Sequence, residues 1–239
     1  MHWLRHLDQL LRGKHTTEEQ AMRGISLPLA INLPLVFVLG GVYGACMGCY
    51  ALIRLWGNPK AQDGFMQTIA SIVKIPALFI LTLIVTFPSL YVFNALVGAR
   101  LTFKATIELL VAAIVVSLAV AASLGPILVF FTLSTDSYPF MVVLNVILLA
   151  IAGIIGLGFL LGSLRKIANA AAMTGQAEST SGDAIFKVWV LIYGLVGLQM
   201  GWILRPFIGH PSAAFEWFRP RTGSFFTGFF ESLSRLVGM

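Results

Sequence analysis

Five apolar runs, each longer than the about 20 residues that carry a helix across the hydrocarbon of a bilayer, limit this chain to very few folds. They cover roughly residues 27–53, 72–98, 105–133, 138–164 and 185–208. Read as helices, they predict an all-α, polytopic membrane helix bundle with five transmembrane helices. The charge content agrees. Only 11% of the residues are Asp, Glu, Lys or Arg, where a soluble domain carries about 25%. Each run exceeds the minimum, so tilt or bending is expected. Pro34, Pro76, Pro88 and Pro126 lie in or near the runs, and a proline there removes one backbone hydrogen bond.

The runs divide the chain into three parts. Residues 1–24 form a cytoplasmic amphipathic segment, 25–209 the membrane domain, and 210–239 an extracytoplasmic interfacial segment. Residues 1–24 are polar and of mixed charge, with no apolar core of a cleavable signal. The first span is therefore expected to direct its own insertion. With five spans, the N-terminus and the second and fourth loops share one side, and that side holds the larger share of the 16 Lys and Arg residues. The loop at 134–139 falls on the other side and carries Asp136 without a base. An excess of cations marks the cytoplasmic face, so the N-terminus is expected inside and the C-terminus outside.

Two flanking stretches have the spacing of helices that lie on headgroups. One is Trp3, Leu4, Leu7, Leu10 and Leu11. The other is Phe225, Phe226, Phe229, Phe230, Leu233, Leu236 and Val237. Either stripe would equally suit a partner subunit. The small, polar stretch at 167–184 is the one expected linker.

Within the first run, GGVYGACMGCY (40–50) holds two patterns. Cys46 and Cys49 have the spacing of a thiol–disulfide pair. Gly40, Gly44 and Gly48 recur every fourth residue and make a groove where a second helix backbone can approach. A redox pair needs a stabilised thiolate that meets solvent, and a thiolate in hydrocarbon is strongly disfavoured. Helix packing is the preferred reading, with the cysteines as small fillers. Gly158 with Gly162, and Gly197 with Gly201, repeat the spacing and are assigned the same role. Two thiols fall short of the four ligands of a structural zinc site.

Ionisable residues inside a membrane mark pathways and relays, and this chain has few. Glu108 and Lys104 have the spacing of an ion pair at a span edge. Lys74 and Lys187 are expected to snorkel from span ends. Asn94, Glu108, Asn145 and Gln199 are the residues from which a polar path could be built; the uncharged Asn94, Asn145 and Gln199, with Thr86 and Ser123, suit hydrogen bonding between helices better. The four histidines, His2, His6, His15 and His210, lie outside the span interiors, so a buried haem lacks its usual ligand. Neither a nucleophile–base–orienting set nor a phosphate loop is present. No cofactor or metal is expected, and no enzymatic activity. The net charge of +6 sits in short clusters at the edges of apolar runs, as lipid anchors do, which argues against nucleic acid.

The most distinctive segment is QMGWILRPFIGHP (199–211), where a charge, two prolines and a histidine end the fifth run together. Arg205 is expected to pair with Glu216 or Asp136. Arg205, His210, Trp217, Arg219 and Arg221 form a candidate site for an anionic headgroup or a partner's carboxylate.

The phrases FPSLYVFNALVG (87–98), SYPFMVVLN (137–145) and QMGWILRPFIG (199–209) resemble those of an uncharacterised family of bacterial multi-pass membrane proteins. The resemblance covers about residues 25–220, implies the bacterial cytoplasmic (inner) membrane, and carries no activity with it. A polar N-terminal helix followed by five spans is also similar, in topology alone, to Yip-type membrane proteins. Three functions are compatible with these features. The first is a non-enzymatic subunit or scaffold of a membrane assembly, bound to lipids and to protein partners or further copies of itself. The second is a channel or transporter component. The third is a lipid-acting enzyme using Arg205, His210, Asp136 and Glu216.

Overall fold

The computed structural model describes residues 2–13, 27–57, 59–96, 102–173, 182–210, 214–219 and 223–237. Among them are seven helices and no strand: α1 (His2–Leu11), α2 (Leu29–Leu55), α3 (Ala61–Leu96), α4 (Phe103–Ser134), α5 (Tyr138–Met173), α6 (Gly182–Leu204) and α7 (Phe225–Val237). Four of them are long and apolar enough to cross a membrane, over Leu29–Leu55, Ala61–Ser89, Phe103–Ser134 and Tyr138–Ile167. The chain is an all-α membrane protein. The described apolar stretch of the fifth run is Val188–Leu204, shorter than the about 20 residues that span hydrocarbon. It stops at Leu204 and not at 208, because Pro206 cannot continue the helix and disfavours helical geometry at Arg205.

Other boundaries also move. α3 begins at Ala61, well before residue 72, because Gln67, Ser71 and Lys74 lie on one helical face instead of interrupting the helix. α5 runs on to Met173 through an alanine-rich stretch of high helix propensity, so much of the expected linker is helix. Residues 174–181 of that linker lie outside the described residues, as do Lys14, Arg23, Arg100 and Arg221.

The helices contribute segments to two compact units. The first comprises 1–36, 82–117 and 153–196. Its interior is the α4 stretch Leu109–Val116, buried throughout, against which α5 sets Gly156. A Cβ at Gly156 would overlap the Ser117 hydroxyl and lie 2.9 Å from the Ala113 carbonyl. Trp189 of α6 is fully buried, its indole N–H donating to Ser89 Oγ at 3.1 Å. Amphipathic α1 turns Leu10 and His6 inward, and His6 Nε2 meets Asn32 Oδ1 at 2.9 Å.

The second unit comprises 37–81, 118–152 and 197–239. Its core is an antiparallel pair made by α2 and α3, joined at a turn where Gly57 takes φ 79°, a conformation open to glycine without strain. The glycines of α2 set the register. Cβ atoms built at Gly40, Gly44 and Gly48 would lie 2.8 Å from Pro76 Cγ, 2.5 Å from the Ser71 carbonyl oxygen and 2.6 Å from Thr68 Cα. Each step of four along α2 is matched by a step of about four back along α3. Gly64 of α3 does the same in return, since a Cβ built there would lie 2.8 Å from the Ala51 carbonyl oxygen, and Thr68 Oγ1 donates to the Gly48 carbonyl at 3.1 Å. Backbones this close gain dispersion contact, which drives association where lipid removes the hydrophobic advantage.

Candidate functional site

The second unit also holds the most concentrated polar structure of the described chain. After α6 ends, residues 205–210 and 214–219 lie along α3, and one face of α3 receives carbonyls from them. Gln67 Nε2 donates to the carbonyls of Pro206 (3.1 Å) and Phe207 (3.0 Å). Ser71 Oγ donates to the Phe207 carbonyl. Lys74 Nζ donates to the carbonyls of Pro206 (2.9 Å) and Trp217, and lies 5.3 Å from the centre of the Phe218 ring. Gln67, Ser71 and Lys74 are spaced i, i+4 and i+7, so a single helical face presents all three donors. Buried carbonyls need such partners. Gly209 fits because nothing larger could: a Cβ there would lie 2.8 Å from Ala51 Cβ.

Lys74 therefore does not snorkel. Its residue is 3% exposed, and its ammonium is committed to the returning segment. Nor does Arg205 take Asp136. The Asp136 carboxylate is engaged by Arg54, which also donates to the carbonyls of Thr132 (3.0 Å) and Thr135 (2.7 Å) and so caps the end of α4. The Arg205 guanidinium stacks over Trp202, 3.6 Å from the ring centre, a favourable cation–π geometry. Arg219 N donates to the Arg205 carbonyl at 3.4 Å, and Tyr138 meets His210 edge-on at 4.6 Å. Arg205, His210, Trp217 and Arg219 thus lie on one returning segment, with Lys74 beneath them. Trp217 and Phe218 are 46% and 59% exposed, and Glu216 is exposed.

Burial, then the nearby charges of Arg219 and Arg235, lowers the His210 pKa from its ordinary 6.5, and burial followed by Arg219 lowers that of Arg205. The unfolded chain binds the His210 proton more readily, so this contribution to stability is present above pH 6.5 and is lost as pH falls through the depressed value. Melting temperatures taken between pH 7.5 and 5 are expected to fall less steeply in His210→Asn than in the parent. Parallel profiles would refute this contribution.

The remaining sequence-derived residues are placed as follows. Asn145 accepts a hydrogen bond from Tyr43 Oη at 2.7 Å, both buried. Glu108 accepts from the Leu27 N–H at 3.1 Å and lies 3.8 Å from Lys104 Nζ. Gln199 is exposed, and nothing is described for the Asn94 side chain. Asn145 and Glu108 thus serve separate contacts. Cys46 and Cys49 are free thiols. Cys46 fits against Gly125, whose Cβ would stand 2.8 Å from Sγ. Gly201 lies 3.9 Å, measured from a built Cβ, from Leu78, whereas among the described residues no atom comes within 4 Å of a Cβ at Gly158 or Gly162. Gly197 is half-buried.

Sequence reasoning missed Gly156 and the Gln67–Ser71–Lys74 face. The second was open to it, as three polar residues at helical spacing inside an apolar helix. Comparison with protein-family models, curated proteins and solved structures returned no match to this chain.

Proposed function

We propose that the protein is a non-enzymatic subunit or scaffold of a larger assembly in the bacterial inner membrane. In this reading α6 completes a fifth span, the N-terminus is cytoplasmic and the C-terminus extracytoplasmic. α1 and α7 rest on the headgroups, where the Phe225, Phe226, Phe229 and Phe230 cluster suits the interface. The family resemblance noted above is consistent with this placement.

The observation that carries the proposal is the division of labour on α5. Gly156 is used inside the chain, against Ser117 and Ala113. Gly158 and Gly162 stand about 200° and 240° further round the helix, beside Ile154 and Ile155, which are exposed at 70% and 45%. Small residues flanked by branched apolar ones suit close approach of another transmembrane helix, and the occupant proposed is a helix of a neighbouring subunit. The internal hydrogen bonds of Asn145 and Glu108 favour a structural role for the deeper polar groups over a solute path.

Purification in mild detergent followed by native mass spectrometry tests this. A complex with a second protein, or an oligomer of this chain, is expected. Gly158→Leu with Gly162→Leu is expected to weaken it by about 5- to 30-fold, since transmembrane helix contacts of about 1–2 kcal/mol are lost. A lone monomer for the parent, or unchanged association in the double variant, would sink the reading.

A further inference from the structure

We propose that α1 binds a lipid surface through Trp3, Leu4 and Leu11, and that His6 and Asn32 hold it at the rotation that turns this stripe to the lipid. The proposal deepens the interfacial placement of α1 given above and rests on it; helix docking on α5 involves other residues.

The observation that carries it is an inverted pattern of burial. α1 buries a histidine and exposes a tryptophan and two leucines. His6 is 8% exposed and Leu10 0%, while Trp3, Leu4 and Leu11 are 47%, 47% and 49% exposed. An amphipathic helix docked on a protein in water turns such a stripe inward. At about 100° per residue, the side chains from Trp3 to Arg12 fall into three sectors. His6 and Leu10 face the protein. Trp3, Leu4, Leu7 and Leu11 are centred about 95° from them. Arg5, Asp8, Gln9 and Arg12, all exposed, lie about 130° from both groups, and there Arg12 pairs with Asp8 at 2.8 Å. Three such sectors suit a helix placed where protein, lipid and water meet.

The level at which α1 docks identifies the occupant. Asn32 lies one turn into the span that begins at Leu29, and its fully buried side chain meets His6 Nε2 at 2.9 Å. Nearby, the Leu27 N–H donates to Glu108, in the second turn of the span that begins at Phe103. Two spans therefore have their ends here, where headgroups lie. Leu33, next to Asn32, is exposed, so the outward side of α2 begins at the same level. Tryptophan is enriched at this depth, and an amphipathic helix buries its apolar side at the headgroup–acyl boundary. Apolar contact is non-directional, whereas a hydrogen bond has a preferred geometry. The His6–Asn32 contact thus keeps α1 from rolling its stripe onto the protein.

The full-length protein, carrying Cys46→Ala and Cys49→Ala, is spin-labelled at Leu4→Cys, Arg5→Cys, Gln9→Cys or Leu11→Cys. It is then reconstituted in vesicles of phosphatidylethanolamine and phosphatidylglycerol. Relaxation of the label by oxygen, which enters lipid, is compared with relaxation by a water-soluble nickel chelate. Oxygen is expected to dominate at positions 4 and 11, and the chelate at 5 and 9. His6→Leu is expected to abolish this contrast, and His6→Gln, whose amide can meet Asn32 in the same place, to keep it. Chelate access at 4 and 11 equal to that at 5 and 9 would overturn the proposal by placing the stripe in water. Exclusion of both reagents from 4 and 11 would overturn it in favour of a protein partner. A contrast that survives His6→Leu would overturn the positioning role. None of these results bears on the association tested through Gly158 and Gly162, so the two readings fail separately.

Discussion

Gly44→Val is expected to cost at least about 3 kcal/mol, equivalent to roughly 6–12 °C in melting temperature for a chain of this size. The Cβ alone would stand 2.5 Å from the Ser71 carbonyl oxygen and 2.8 Å from Ile72 Cα. Both are backbone atoms, so no rotamer change relieves the overlap, and α2 and α3 must separate. Separation would loosen the contacts at Gly40 and Gly48 as well, because all three glycines share one face. Gly153→Val is the matched control. It introduces the same side chain into a helix, but at a position with no described neighbour within 4 Å, and is expected to cost under about 1 kcal/mol, the scale of helix-propensity effects. Thermal unfolding of the two variants in the same detergent compares them directly. Equal losses would show that α2 and α3 are not paired as described.

The second large effect is expected from Lys74→Met. Two physical terms compete. A buried ammonium carries a desolvation cost, so a methionine of similar length could in principle stabilise. Against this, the Trp217 carbonyl loses the Lys74 donor while the Pro206 carbonyl keeps only Gln67, at about 1–3 kcal/mol for a buried acceptor left unsatisfied. Removing one partner from a formed contact is the damaging case, and a net loss of about 1–3 kcal/mol is expected. Lys104→Met, at an 81% exposed side chain, should lose less than about 1 kcal/mol. The loss at Lys74 should be local, appearing as faster hydrogen exchange across 205–219 while α4 keeps its protection. A stabilised Lys74→Met protein, or unchanged exchange in that segment, would contradict the assigned role.

Much of this architecture is legible in the residues. Long apolar runs can be little else than membrane helices, and Gly40, Gly44 and Gly48 declare a packing face because their spacing matches the helical repeat. The spacing does not say what the face meets, or which of several glycines on a helix turns inward. α5 carries Gly153, Gly156, Gly158 and Gly162, and Gly156 is the one that closes on α4, on the face that also buries Ala152 and Leu160. That choice is made by the neighbours and leaves no mark in the local pattern. Lys74 was harder still. A lysine in an apolar helix usually finds water by extending its stem, and only the return of residues more than 130 positions later supplies the carbonyls that hold it. Arg205 failed to find Asp136 for a similar reason: Arg54 occupies that carboxylate.

The grip of α3 on the returning segment also has a temporal side. Ribosomes deliver α3 long before residues 205–219, so the amine of Lys74, the amide of Gln67 and the hydroxyl of Ser71 must wait in a nascent chain for acceptors not yet made. Until then the half-built protein carries one ammonium and two neutral donors without the acceptors that the finished chain gives them.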